Sequence, residues 1–579
     1  MGENSIKMDN VVNQTANNKE IRVLIDDIFW ERVQMYIKGH LECINSNKGL
    51  FKFQNKKDDK TLDIKNVQFK GNEFICRFNV AKINEGYLEP GAYTLNYITE
   101  TQTYVAEISN KLLKNKGNKF NQYDKNLEEI KKQKKTYLLK SLSKEFKKNG
   151  KSNKNYFAVR PEIENSTNAI IFNVIYMKQK ESLNSEVDSA FSLGKIKKKV
   201  LFEIRESLFK SIFSLSKLVH FKKGKTILFT SESRGSLSGN FLYIYNEMIR
   251  QNLQHKFKIY KIFKPHISDR YKFTDKFKLP YLLGKSDFIF VDDYHPTVNK
   301  VKFRKTQEII QVWHAVGAFK TIGYSRIGKK GGPFFDSTGH RNYTKVYVSS
   351  SSTIPMYAEA FGIDESKVIA TGVPRTDMLF DKLYEEKTIS KLKKELPIIN
   401  GKKVILFAPT FRGDGHRSAF YPFSNIHFGR LANYCRNHNA VVLFKMHPFI
   451  KEKIKICEEY EDCFKDISEY REINDILFIS DILVSDYSSL IYEFASFKRP
   501  MLFYAFDLEN YTLTRDFYES YESFVPGKIV KSFDELIDAL DNEDFESEKV
   551  AQFLGKHLQH QDGLASQRLV NDVFKNDIS

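Results

Sequence analysis

No run of about 18 apolar residues occurs anywhere in the 579-residue chain, so the sequence offers no membrane-spanning helix. The opening Met1-Gly-Glu-Asn-Ser-Ile-Lys has no apolar core of signal-peptide type, and no signal peptide is expected. Cysteine is scarce. The five residues (Cys43, Cys76, Cys435, Cys457, Cys463) show no paired ligand spacing, which argues against structural zinc and for reduced thiols in a cytosolic setting. Glycine never gathers into a Walker-type phosphate loop. Acidic residues form no cluster with Mg²⁺-site spacing, although Asp414 and Asp486 stand near the loops described below. No catalytic constellation precedes residue 190, and no zinc-finger, helix-turn-helix or RNP-like pattern supports a nucleic-acid-binding reading.

What remains is basic and well supplied with core formers. Lys and Arg number 91 against 72 Asp and Glu, a net charge of +19, so an acidic partner is expected: a membrane surface, nucleic acid or a phosphate-rich substrate. Hydrophobic content of 41% and aromatic content of 14% suffice for packed cores, and the length suggests roughly three domains.

Residues 1–19 are polar and read as a disordered tail. Residues 20–190 alternate at short period, as in Glu73-Phe-Ile-Cys-Arg-Phe-Asn-Val, and predict a β-rich, sandwich-like module. A lysine-rich insertion at about 111–154 reads as helical around Leu127 to Phe146. Between 195 and 223, Leu201, Ile204, Leu208, Ile212, Leu215 and Val219 recur at steps of three and four. Lys195, Lys197, Lys198, Lys199, Lys210, Lys217 and Lys223 crowd the same stretch. Such a basic amphipathic helix either lies on an anionic membrane or buries its stripe as core.

From Lys225 the pattern changes to buried apolar runs alternating with helices, which predicts two doubly wound α/β units, 191–396 and 397–579, facing across a cleft. Five loops at predicted strand ends then gather the chemistry. They are Trp313-His314-Ala-Val-Gly317, Thr371-Gly-Val-Pro-Arg375, Pro409-Thr410-Phe-Arg412, Lys445-Met-His447-Pro448 and Ser485-Asp-Tyr-Ser488-Ser489. Histidines, cations and hydroxyls are the residue types that hold a diphosphate and move one proton. Ser488 and Ser489 open a helix after the apolar Ile482–Val484 run, where backbone N–H groups and the helix dipole favour an anion.

These loops, in this order, resemble the CDP-glycerol glycerophosphotransferase family of teichoic acid synthesis. Gln311-Val-Trp-His-Ala-Val-Gly-Ala-Phe-Lys and Asp516-Phe-Tyr-Glu-Ser-Tyr-Glu-Ser-Phe-Val-Pro-Gly-Lys look like its poly(ribitol-phosphate) polymerases, and Phe29-Trp-Glu-Arg-Val-Gln extends the likeness to the N-terminal module. One departure is Ala315, where many members carry glycine after the histidine. A methyl group there restricts the backbone and narrows access.

The resemblance implies a GT-B-like α/β fold and transfer of ribitol phosphate from CDP-ribitol to a polyprenyl-diphosphate-linked teichoic acid chain, at the cytoplasmic face of the cell membrane. It implies His314 as general base and His447 as stabiliser or proton donor for the leaving phosphate. Trp313, Gly317, Arg375, Thr410, Arg412, Lys445, Ser488, Ser489 and Arg515 would surround the donor, with no required cofactor or metal, though Mg²⁺ remains compatible. The competing donors are CDP-glycerol on the same fold and, more remotely, a sugar nucleotide.

Overall fold

In the strand Leu50–Asn55 the side chains of Phe51 and Phe53 turn inward while Lys52 and Gln54 turn out. This period-two alternation builds the first of two units in the computed structural model, which describes residues 21–42, 49–83, 86–115, 136–150, 155–178, 193–222, 224–413 and 418–576. The readings made on residues 1–19, Cys43, most of the lysine-rich insertion, Lys223 and Asp414 fall outside the described residues.

The first unit comprises Met1–Ser185 with Ile327–Asp336. Its twelve strands hydrogen-bond into a mainly antiparallel sheet. Two layers face each other through an aromatic core, with Phe51 4.5 Å from Phe74 and Phe53 4.7 Å from Phe78. The segment around Phe335 belongs here, its ring stacked 3.9 Å from Phe157, so 191–396 is not one continuous domain. Where the insertion is described, 136–147 forms no α-helix, only a single 3-10 turn at Lys140–Leu142 between two strands. Thr136–Leu138 and Lys144–Lys147 are strands, and Phe146 pairs with Phe157. Pairing with a sheet edge and burial in the aromatic core outweigh the helical preference of lysine and leucine, which amounts to only tenths of a kcal/mol per residue, about 0.7 kcal/mol at most across ordinary residues.

The second unit, Glu186–Arg326 with Ser337–Ser579, contains two parallel six-stranded sheets. In spatial order the first runs Lys258–Phe263, Thr226–Ser231, Phe288–Val291, Glu308–Gln311, Lys345–Val348, Val368–Ala370. The second runs Phe464–Asp466, Ala440–Phe444, Lys403–Phe407, Ile482–Ser485, Met501–Tyr504, Lys528–Val530. Thr226–Ser231 and Ala440–Phe444 are buried at every position, the expected state of strands covered on both faces. Each order reverses once, beside the first strand of its half. Such a switch leaves a crevice at the strand carboxyl ends.

The two halves are interlocked. The last helix, Ala565–Phe574, crosses back to the first sheet, where Phe574 packs 4.9 Å from both Phe257 and Phe288. Asp572 there accepts hydrogen bonds from Tyr347 Oη at 2.6 Å and Lys345 Nζ at 2.9 Å.

The expected amphipathic helix is present as Leu193–Val219. It docks through Phe213 and Ser216, whose hydroxyl donates to Tyr281 O at 2.6 Å. The apolar stripe faces elsewhere. Leu201, Ile204, Leu208, Leu215 and Val219 are all exposed, Leu215 to 64%. Among the described residues no helix is long and apolar enough to cross a membrane.

Candidate active site

The reversal of strand order in each half decides which loops meet. In the second sheet it falls between Lys403–Phe407 and Ile482–Ser485, and the loops leaving these strands carry Thr410, Arg412, Ser488 and Ser489. Asp486 ties them together. Its Oδ1 accepts from the Thr410 N–H and its Oδ2 from Arg412 Nη1, both at 2.7 Å.

Arg412 is buried and fully engaged. Nε and Nη2 form a fork on Asp507 at 2.7 and 2.9 Å, while Nη1 also donates to Thr410 O at 2.7 Å. Although burial opposes its charge, Asp486 and Asp507 hold the guanidinium protonated well above its ordinary range. The side chain is thus a clamp between two loops. The Thr410 hydroxyl, by contrast, is buried with no partner. Ser488 Oγ accepts from the Leu490 N–H at 3.3 Å, and Ser489 is exposed at the start of the short helix Leu490–Ala495.

His447 stands three residues beyond Ala440–Phe444. Its Nδ1 accepts from the Phe449 N–H at 3.1 Å, which places the proton on Nε2. Phe411 and Phe449 flank the ring, each at 4.7 Å. Burial, helped by the ammonium groups of Lys320 and Lys445, pushes its pKa down to about 4, so it is a neutral donor at physiological pH. Lys445 donates to Ser468 O at 2.8 Å, and burial lowers its pKa too. Arg515 lies over Phe411, 5.8 Å from the ring centre, and reaches Gly413 O at 3.4 Å.

His314 is set by a strained turn at the end of Glu308–Gln311. Trp313 adopts φ of +34°, a conformation that a bulky side chain resists. Three hydrogen bonds hold it. The Trp313 N–H donates to Gln311 Oε1 at 2.8 Å, and Asn240 Nδ2 donates to Val312 O and Trp313 O at 2.8 and 2.5 Å. The His314 ring lies against Trp313 at 4.6 Å, with Nδ1 3.4 Å from Asp293 Oδ2. Burial works against the Asp293 carboxylate, yet His314 and the Tyr294 N–H keep its pKa below the usual value. A carboxylate on Nδ1 leaves the lone pair of Nε2 for a substrate proton.

Two further expected residues have structural work. Arg375, half-buried, makes an ion pair with the buried Glu493 across the two halves, and its N–H donates to Asn240 Oδ1 at 3.0 Å. Burial raises the pKa of Glu493, against the pull of Arg375. Gly317 is a point of close approach, because a Cβ there would stand 2.1 Å from the Tyr492 ring.

Asp293, Asp507 and Lys320 were not singled out from the sequence, and Asp486 was placed near the loops without its bridging role. Lys320 is half-buried, with its ammonium 5.3 Å from the centre of the Tyr511 ring. Burial pushes its pKa down to about 8, with Asp486 opposing and Arg515 and Arg412 assisting. Its signal was its place in the His314 loop. That loop spans the cleft, since Phe319 O accepts from the Tyr518 N–H at 3.1 Å and the Thr321 N–H donates to Asp516 O at 2.9 Å.

The site therefore offers an oriented histidine on one half. On the other it offers a neutral histidine donor, the Lys445 ammonium and an unpartnered hydroxyl, with Lys320 reaching in from the His314 loop. Residues 212–575 match the family described as CDP-Glycerol:Poly(glycerophosphate) glycerophosphotransferase. The chain is 52% identical over 556 residues to the teichoic acid ribitol-phosphate polymerase TarL of Staphylococcus aureus (strain NCTC 8325 / PS 47), covering 96% of this chain and 99% of that one. It is 54% identical over 512 residues to the ribitol-phosphate polymerase TarK of the same strain, covering 88% and 100%. The solved structure of the wall teichoic acid polymerase TagF shares the fold, with a TM-score of 0.53 at 23% identity over 67% of this chain and 98% of that one. By the match of its two α/β halves and the likeness along its whole length, the chain belongs to the CDP-glycerol:poly(glycerophosphate) glycerophosphotransferase family.

Proposed function

We propose that the protein is a ribitol-phosphate polymerase, transferring ribitol phosphate from CDP-ribitol to the terminal hydroxyl of a teichoic acid chain carried on a polyprenyl diphosphate. The observation that carries the chemistry is the His314–Asp293 pair on one half of a cleft whose other half holds His447, Lys445 and the free Thr410 hydroxyl. The choice of ribitol rests on the near full-length similarity to ribitol-phosphate polymerases.

An alcohol is a weak nucleophile at neutral pH, so the acceptor hydroxyl gives its proton to His314 Nε2 as its oxygen attacks the phosphorus bearing ribitol. The new O–P bond forms while the P–O bond of the diphosphate breaks, and the electron pair leaves on CMP. Asp293 stabilises the resulting imidazolium. The charge growing on CMP meets the His447 Nε2–H, the Lys445 and Lys320 ammonium groups and the hydroxyls of Thr410, Ser488 and Ser489. Charge stabilisation and positioning supply most of the catalysis of phosphoryl transfer. Arg412 and Arg375 act indirectly, by fixing the loops that carry these donors, and Arg515 closes over Phe411.

The acceptor is a polyanion tethered to a lipid, and the exposed stripe of Leu193–Val219 supports a peripheral position on the inner membrane surface. Leu201, Ile204, Leu208 and Leu215 would enter the interface, with the neighbouring lysines on anionic headgroups. Incubation with CDP-ribitol and a lipid-linked acceptor tests the reading by mass analysis of the product. A ladder spaced by one ribitol phosphate supports it, and an acceptor of unchanged mass rejects it.

A further inference from the structure

The first unit carries a groove of about 570 Å³ on its outer face, lined by Gln54, Thr94, Asn96, Thr103, Tyr104 and the ion pairs described below. It forms where the strand Gly91–Ile98 changes neighbours. Gly91–Thr94 pairs with Ile170–Met177, whereas Asn96–Ile98 pairs with Thr103–Ile108. Tyr93, Leu95 and Tyr97 point into the aromatic core, so Thr94 and Asn96 point to the other face, where polar side chains are normally wet.

Asn96 breaks that rule. It is only 2% exposed although it lines the groove. Its Nδ2 donates to Gln54 Oε1 at 2.6 Å, while Gln54 Nε2 donates to Asp59 Oδ1 at 3.1 Å. This relay fixes the amide with Oδ1 turned away from Gln54, and that oxygen is buried without a partner. A buried carbonyl left without a donor costs about 1–3 kcal/mol, so its place in an otherwise satisfied relay points to a ligand that brings an O–H or N–H.

The rim defines the class. Arg22 is paired with Glu107 at 2.7 Å and Lys56 with Glu164 at 2.8 Å, while Thr94, Thr103, Thr167 and Tyr104 add hydroxyls. The cations are thus neutralised locally and Asp59 adds a negative charge, in contrast to the chain's net +19. A polyanion finds no unpaired cation here, whereas a neutral polyol finds acceptors and donors at close spacing. We propose that this groove is a binding site for a neutral polyhydroxylated ligand, a sugar ring or an unphosphorylated alditol, held by Asn96 Oδ1. The inference rests on the first unit alone and is independent of the donor assigned to the cleft.

Saturation-transfer NMR on the full-length protein tests it, with ribitol, maltotriose and chitotriose as separate probes. At least one should give signals that fall fivefold or more in Asn96→Ala and persist in His314→Ala. Signals from ribitol alone assign the alditol, and signals from a trisaccharide alone assign the sugar ring. Should Asn96→Ala fail to fold, Tyr104→Ala and Thr167→Val at the rim carry the same expectation. Silence from all three probes overturns the proposal, as do signals that survive every groove variant. Binding seen only with a phosphorylated polymer, and lost in high salt, overturns the neutral class.

Discussion

At the scale of single residues, the two histidines differ in what their environments allow. His314 has a carboxylate on Nδ1 and is partly exposed, so it can gain a proton. His447 is neutral, with its proton held on Nε2, so it can only donate. Replacing His314 with alanine should lower kcat by about two to four orders of magnitude with donor affinity little changed. Asp293→Asn should lower kcat by a comparable factor through the wrong tautomer, as measured by CMP release under saturating donor. Near-normal turnover in either variant would remove the base from the mechanism. Arg412 should behave differently. Arg412→Met leaves Asp486 and Asp507 without their partner, and breaking such a buried pair costs about 3–5 kcal/mol, visible as a lowered unfolding midpoint. The histidines were legible in the sequence because each follows a buried run at a fixed offset. The clamp was not, because Asp486 and Asp507 lie 74 and 95 residues from Arg412, beyond the reach of any local pattern.

At the scale of elements, the parallel strands of the second unit were legible because full burial demands unbroken apolar runs. The strands at Thr136–Leu138 and Lys144–Lys147 were not, since their pairing partners lie in the later strand Tyr156–Glu164. The loop after Trp313 was visible as a motif, but its contact with the short helix Leu490–Ala495 was not. Gly317→Ala would force a methyl group into the Tyr492 ring, so helix and loop must part. Overpacking of this kind costs about 1–3 kcal/mol, and calorimetry should record both a lower melting temperature and weaker binding of CDP. For the helix Leu193–Val219, periodicity gave the stripe and could not say what it faced. Its exposure predicts that changing Leu201, Leu208 and Leu215 to glutamine releases the protein from anionic vesicles in a sedimentation assay. Unaltered sedimentation would place the membrane contact elsewhere.

At the scale of the molecule, the second unit holds buried titratable groups that make stability depend on pH. His295 is buried beside Glu232, with Nε2 3.0 Å from Thr230 Oγ1. Burial, outweighing the attraction of Glu232, pushes its pKa down to about 4. Between that value and the unfolded value of about 6.5, the unfolded chain holds a proton that the folded chain does not. Its contribution is therefore complete above about pH 6.5 and is lost as pH falls toward 4. His295→Asn should flatten the fall of unfolding free energy in that window by up to about 1.4 kcal/mol per pH unit, as read by urea titrations at several pH values. An unchanged slope would mean that the ring is protonated in the folded state. All of this geometry serves one claim, that the cleft moves ribitol phosphate. The most direct test is CMP release in parallel assays with CDP-ribitol and CDP-glycerol on a lipid-linked acceptor. For CDP-ribitol, kcat/KM should be higher by about tenfold or more, with release abolished in His314→Ala. Equal or faster release from CDP-glycerol, or release that survives loss of His314, would contradict it.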